Sequence, residues 1–141
     1  MTFLTDEDYR VVAGEASLKI LKQSNVENRD RAEATAIDEI KGYIGSRFDS
    51  EAVFAKTGAS RSPIIIMRVV DIALYHLVSA MPNRMGYEIR EIRYKMAIDW
   101  LKEVQKGNIA ADLPTMTGPN GDADYYNPVS FNPGQKNKYD W

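Results

Sequence analysis

Apolar residues recur every three or four positions in several stretches of the chain, which is the spacing of one face of an α-helix. The most regular stretch runs from Tyr87 to Lys106. Its apolar positions are Ile89, Ile92, Met96, Trp100 and Val104, with Ala97 and Leu101 beside them. Charged residues, Arg90 among them, fill most of the other positions. The pattern predicts an amphipathic helix with this apolar stripe against the core and its charges in solvent.

Four more helices are predicted from the same spacing and from capping residues. Two short ones are expected at Asp6 to Ala13 and at Glu15 to Gln23, and a longer one from about Asn28 to Phe48. The stretch from Pro63 to Met81 is apolar on all sides, which is typical of a central helix, and its Ser-Pro start suits a first helical turn. Residues 52–54 are expected to form a short packed turn. These features predict an all-α bundle of about five helices, with two long antiparallel helices at the centre.

Two glycines lie near the end of the predicted helix at residues 28–48. Gly42 and Gly45 each cost about 1 kcal/mol relative to alanine in a helix interior. They either let the end of the helix fray or allow another backbone to come close, and both interpretations stay open at this point.

The last 28 residues, from Pro114 to Trp141, have a different composition from the rest. They hold four of the six prolines, three glycines and four asparagines, with no Leu or Ile, so they predict neither a helix nor a stable core of their own. They nevertheless include five aromatic side chains, at Tyr125, Tyr126, Phe131, Tyr139 and Trp141. Aromatic residues are common anchors at interfaces. We expect a helical domain at residues 1–113 and an extended docking arm at residues 114–141; an arm folded over its own body, or a tail without a role, is the alternative.

Composition narrows the possible functions. The chain has no cysteine, one histidine and a formal net charge of −2, so disulfides, thiolate metal sites and most imidazole-based catalysis are ruled out. No glycine-rich phosphate loop is present. His76 and Asp71, five residues apart on the central helix, are expected to be packing residues. We therefore expect no catalytic residue, no metal and no cofactor.

No membrane segment is expected either. The apolar stretch from Pro63 to Met81 contains Arg68, Asp71 and His76, and charges within a bilayer are costly. The first residues lack the basic and apolar regions of a signal peptide. These features predict a cytosolic protein, or one carried into a particle that assembles in the cytosol.

Three segments resemble the small helical head–tail connector, or adaptor, proteins of tailed bacteriophages, in particular the Mu-like prophage type. Residues 36–48 are similar to that family's helix with a Gly-Tyr pair and a closing Arg-aromatic pair. Residues 70–77, after Pro63, are similar to its central Asp-Ile-Ala-x-Tyr helix. Residues 88–109 are close to its Arg-Tyr-x-x-Ala-x-x-Trp-Leu ending. The likeness covers about residues 5–113.

This resemblance implies a structural virion protein that forms a ring of identical subunits, usually dodecameric. The ring binds the phage portal protein and offers a surface to the tail or a tail-completion protein, while DNA passes through its lumen without specific binding. The implied location is the head–tail interface of the virion, after assembly in the host cytoplasm. The residues implied in portal binding are those of the arm: Tyr125, Tyr126, Phe131, Tyr139 and Trp141. Those assigned to packing between subunits are Gly42, Tyr43, Gly45 and Trp100.

We therefore expect a structural protein without enzymatic activity. The alternative is a small helical nucleic-acid-binding or regulatory protein that uses Arg84, Arg90 and Arg93. The arginines of the chain are scattered among acidic residues, which favours a solvated face or ion pairs between subunits over a groove-reading surface. An enzyme that uses Asp71 and His76 is a more distant third possibility.

Overall fold

The computed structural model describes residues 3–81 and 86–116. Within these residues the chain forms helices, with one isolated antiparallel bridge between Phe48 and Thr115 and no named strand. The helices are α1 (Asp6–Ala13), α2 (Glu15–Gln23), α3 (Val26–Ile44), α4 (Ser50–Ala55), α5 (Pro63–Ser79) and α6 (Tyr87–Lys106). A single 3₁₀ turn, Gly58–Ser60, precedes α5. The predicted all-α fold is confirmed.

Most of the predicted helix bounds agree with the structure, and the differences have local causes. α3 begins earlier than expected because the side chain of Asn25 accepts a hydrogen bond from the backbone N–H of Asn28, and it ends earlier, at Ile44. The expected short turn at residues 52–54 is part of α4, which the side chain of Asp49 caps. The described residues therefore contain six α-helices, one more than the sequence predicted.

Three long helices form the centre of the bundle, and α5 lies between α3 and α6. Arg68, early in α5, lies over the ring of Trp100, late in α6. Tyr75, further along α5, stacks on Tyr94, which comes earlier in α6. The helices α5 and α6 are therefore antiparallel, as predicted. α1 and α2 pack together and against α5.

Burial is greatest along α5, as expected for its apolar sequence. Nearly every residue from Arg68 to Val78 is buried, and Asp71 is fully buried among them. The other buried core residues come from each of the remaining helices, with Val53 in α4, and from Leu4, Phe48 and Leu113. Among the described residues, no helix is long and apolar enough to cross a bilayer.

The first described residues are held against the bundle by two charged side chains. The carboxylate of Glu33, which is only 6% exposed, accepts hydrogen bonds from the backbone N–H groups of Phe3 and Leu4, at 2.6 and 3.1 Å. Arg61 donates to the carbonyl of Phe3 and pairs with Asp8 at 2.6 Å. Burial raises the pKa of Glu33, and the two backbone N–H groups act against that rise.

Replacing Glu33 with alanine should destabilise the fold by about 1–3 kcal/mol, because the N–H of buried Leu4 loses its acceptor. Glu33→Gln keeps a carbonyl oxygen at the same place and should cost less. Urea unfolding measures both changes. Asp38→Ala, an exposed position on the same helix, serves as the control and should change stability by less than about 0.5 kcal/mol. Equal losses for Glu33→Ala and Asp38→Ala would contradict this role.

Candidate interaction surface

Part of the apolar stripe predicted to face the core lies on the outside of α6. Ile89, Ile92 and Met96 are 49%, 55% and 48% exposed, and we call these three residues the α6 outer face. The residues of α6 that are buried are Ala97, Leu101 and Val104. The prediction was wrong for the outer face because its stripe spans more of the helix circumference than α3 and α5 cover. The two neighbouring helices contact the side centred on small Ala97, which turns the larger residues outward.

Trp100 lies between the outer face and the core. Its side chain is half-buried, and the guanidinium of Arg68 lies 5.2 Å from the centre of its ring. Such a cation–π contact contributes on the order of 1 kcal/mol. Trp100, assigned to packing between subunits, is thus partly covered by its own chain and keeps one side accessible.

Asp71 of α5 forms a buried ion pair with α6. Arg93 donates two hydrogen bonds to its carboxylate, from Nε at 3.1 Å and from Nη2 at 3.0 Å. The side chain of Asp71 is 1% exposed and that of Arg93 is 27% exposed. Burial raises the pKa of Asp71, whereas the two-pronged contact with Arg93 favours the charged carboxylate. The pair therefore joins α5 to α6 at a fixed rotation.

Two more arginines surround the same carboxylate. Arg68 lies 4.0 Å from Asp71, and Arg90 is near enough to interact with it electrostatically. Burial lowers the pKa of both arginines. The negative charge of Asp71 raises it, and the positive charge of Arg93 lowers it further. Within the described residues, Nε of Arg68 and Nη1 of Arg90 are buried without a hydrogen-bond partner. The expectation that Arg90 lies in solvent was wrong, because its side chain is half-buried near Asp71 and its Nη1 is enclosed by the fold.

The two residues considered for catalysis point to different partners. His76 lies 2.5 Å from the carboxylate of Glu39 on α3, which also accepts a hydrogen bond from the hydroxyl of Tyr94 at 2.9 Å. Burial, together with this hydrogen bond, raises the pKa of Tyr94 to about 12. Asp71, in contrast, is engaged with α6. The structure does not bring Asp71 and His76 together, and this polar network instead ties α3, α5 and α6 to one another.

The glycines assigned to subunit packing occupy different environments. Gly42 is exposed within α3, and a methyl group at this position would meet no atom within 4 Å. Gly45 follows the last residue of α3 and donates to the carbonyl of Lys41 at 2.9 Å. Tyr43 is half-buried against the core of its own chain. No described part of the chain therefore requires a small residue at position 42.

Most of the predicted docking arm lies outside the described residues. The aromatic residues that fall there are Tyr125, Tyr126, Phe131, Tyr139 and Trp141. Of the arm, residues 114–116 are described. The carbonyl of Pro114 accepts a hydrogen bond from the N–H of Asp49 at 2.9 Å, and Thr115 forms the bridge to Phe48. The start of the arm is thus held at the connection between α3 and α4.

Clusters of three or more His, Asp or Glu side chains able to hold a metal ion do not occur in residues 3–81 and 86–116. The described surface offers apolar contact at the α6 outer face and electrostatic attraction from the arginines around Asp71. Sequence patterns gave no direct signal for this combination. The sequence hint was the pair of charged residues Arg68 and Asp71 within the apolar run of α5.

A family model for a bacteriophage protein, described as Bacteriophage Mu, Gp36, matches residues 3–125. Because the match covers most of the chain, this protein belongs to that family. The predicted resemblance to Mu-like phage proteins is therefore confirmed. Neither a curated protein nor a solved structure matches the chain.

Removing the carboxylate of Asp71 should be strongly destabilising. Asp71→Ala leaves three arginines without their shared counter-charge, and we expect a loss of about 3–5 kcal/mol in urea unfolding. Arg93→Lys keeps the charge but loses the two-pronged contact, and should cost about 1–3 kcal/mol. The matched control is Asp99→Ala on the exposed side of α6, which should have little effect. A loss below about 1 kcal/mol for Asp71→Ala would show that the pair does not hold the two helices together.

Gly42→Ala should stabilise the isolated chain by about 0.5–1 kcal/mol, since alanine favours the helix and meets no neighbour here. Gly107→Ala is the contrasting variant and should be destabilising, because Gly107 has φ +87° and its added methyl would lie 3.2 Å from Arg47. Thermal unfolding measures both. If Gly42 packs between subunits, the stabilised variant should assemble less well. Unchanged assembly would contradict that packing role.

Proposed function

We propose that this protein is the subunit of a head–tail connector ring in a Mu-like phage. The ring binds the portal protein on one side and the tail or a tail-completion protein on the other, and DNA passes through its centre. Its role is geometric rather than enzymatic: identical helical bodies form the ring, and the C-terminal arm attaches the ring to the portal.

The uncovered apolar surface of α6 is the observation that carries this proposal. One copy leaves three large apolar side chains of the outer face about half-exposed along a single helix. Exposed apolar residues that line up in this way are typical of an interaction site, whereas single ones are common on any surface. Contact with another polypeptide in an assembly would remove them from water.

The distribution of the core supports the assignment of a separate role to the arm. The buried core residues of the described part run from Leu4 to Leu113. Residues 114–141 follow the last described core residue and hold five aromatic side chains, so they are suited to binding another protein. Many arms on one ring also act together, because each attachment raises the effective concentration for the next.

The charges of the body suit a conduit better than a DNA-binding protein. The formal net charge is −2, so long-range attraction to DNA is weak. Of the arginines considered for nucleic-acid binding, Arg93 is engaged with Asp71, and Arg90 is half-buried beside it. Arg84 lies outside the described residues. The two described arginines of the nucleic-acid-binding alternative, Arg90 and Arg93, are therefore already used within the fold.

The proposal is tested by measuring the mass of the full chain, alone and with the portal protein of a Mu-like phage, and by imaging both samples in negative stain. We expect a closed ring, either alone or on the portal. A chain that ends at Met116 removes no described core residue, so it should unfold at the same temperature but bind the portal much more weakly.

Two results would contradict the proposal. Equal portal binding by the full and shortened chains would remove the role of the arm. A lower unfolding temperature of the shortened chain, with both chains compared as monomers, would mean that the arm covers its own body. Tight DNA binding by the isolated protein with a steep salt dependence would instead favour the nucleic-acid-binding alternative.

A further inference from the structure

One side of the α6 outer face adjoins positive charge. Arg93 follows Ile89 by four residues and precedes Met96 by three, so its side chain lies next to theirs on the helix. On that side three arginines, Arg68, Arg90 and Arg93, lie around the single carboxylate of Asp71, whereas the exposed Glu88 and Asp99 adjoin the other side of the face. A partner that fits this surface presents apolar or aromatic groups with negative charge on the Arg93 side.

One segment of the chain has this composition. Asp122, Asp124, Tyr125 and Tyr126 occur within five residues, and no Lys or Arg occurs between Gly107 and Gln135. The other acidic-aromatic stretch of the arm, Tyr139 to Trp141, follows two lysines closely and has no surplus of negative charge. The family match extends to Tyr125, so most of this segment belongs to the part of the chain that the family shares.

The place where the arm begins indicates whether this segment contacts the α6 outer face of its own chain or that of another copy. Thr115 is bridged to Phe48, in the connection between α3 and α4. Tyr94 contacts α3 through Glu39, and Met96, two residues later, points to the opposite side of α6. The outer face of a chain therefore lies on the side of α6 away from α3, and away from the start of its own arm.

The reach of the arm favours a neighbouring copy for the same reason. Arg47, next to Phe48, lies against Gly107 at the end of α6, and Arg93 is fourteen residues, or about 21 Å, further back along that helix. The seven Cα–Cα steps from Thr115 to Asp122 span at most about 25 Å when fully extended, which is little more than the straight distance to Arg93. The sequence Gly118-Pro119-Asn120-Gly121 favours turns, which shorten this span before the path around α6 is added.

We propose that residues 122–126 of one copy dock on the α6 outer face of the next copy. The carboxylates of Asp122 and Asp124 lie near Arg93 and the arginines behind it, and the rings of Tyr125 and Tyr126 cover the apolar side chains of the outer face. This inference rests on the self-association in the proposed function. It divides the arm in two: residues 122–126 join neighbouring subunits, and Phe131, Tyr139 and Trp141 remain for the portal.

The absence of cysteine from the chain allows a direct test by disulfide cross-linking of full-length proteins. Protein carrying only Ile92→Cys is mixed with protein carrying only Tyr125→Cys, under assembly conditions and mild oxidation, and the products are weighed by mass spectrometry. We expect the mixed disulfide dimer to exceed that of the control pair by about tenfold. The control pair has Val11→Cys, at a 69% exposed position on α1, in place of Ile92→Cys.

Charge and specificity are tested in the same proteins. Asp122→Asn with Asp124→Asn should lower the yield of the mixed dimer by about tenfold, because the positive charge of the arginines loses its partner. Asp140→Asn, a matched change in the last residues of the arm, should leave the yield unchanged. Equal yields for the double variant and the original pair would overturn the charge-based docking.

Two further outcomes separate this inference from the proposed function. A ring detected by mass together with no mixed dimer would overturn docking on the neighbour and leave the connector role standing. A ring together with an intrachain disulfide in the double variant Ile92→Cys/Tyr125→Cys at high dilution would have the same consequence. A chain that stays monomeric at all concentrations and does not bind the portal would overturn both.

Discussion

The ion pair between Asp71 of α5 and Arg93 of α6 sets the rotation of the last helix about its own axis. Asp71 is fully buried, and a buried carboxylate is tolerated only with a close, well-directed partner. Arg93 must therefore face α5, and Ala97, one turn later, lies in the core. Ala97 lies on one side of Arg93 around the helix, and Ile89, Ile92 and Met96 lie on the other, which is exposed. The exposed apolar surface and the buried polar contact are therefore neighbours on α6.

The same contact explains why charge and apolar surface occur side by side. One carboxylate holds Arg93 directly, with Arg68 at 4.0 Å and Arg90 nearby, so the seam between α5 and α6 places positive charge along one side of the outer face. A purely apolar seam of similar volume would be at least as stable. The arginines add direction, because they favour a partner that brings negative charge to one side of the apolar face. In the ring that we propose, such a combination would let subunits join in one orientation.

Helix positions and the family were accessible from local patterns. Capping by Thr5, Asp49 and Ser62, the proline at the start of α5 and the glycine after α6 act through neighbouring atoms, so their effect can be judged without the fold. The apolar stripe of α6 was identified, but the prediction that all of it faces the core was wrong for Ile89, Ile92 and Met96. Its width exceeded the area that two neighbours could cover, and no local pattern states which part of a wide stripe a neighbour will contact.

The sequence by itself determined the all-α class, the bounds of α1, α2 and α6, the start and central position of α5, and the membership in a family of Mu-like phage proteins. These follow from spacing and capping, which depend on residues a few positions apart. The tertiary structure alone decided which side of α6 meets solvent, that Arg68, Arg90 and Arg93 share Asp71, and that Asp71 and His76 have separate partners. Those features depend on contacts between residues that are distant in the chain, and such contacts form only when the helices pack.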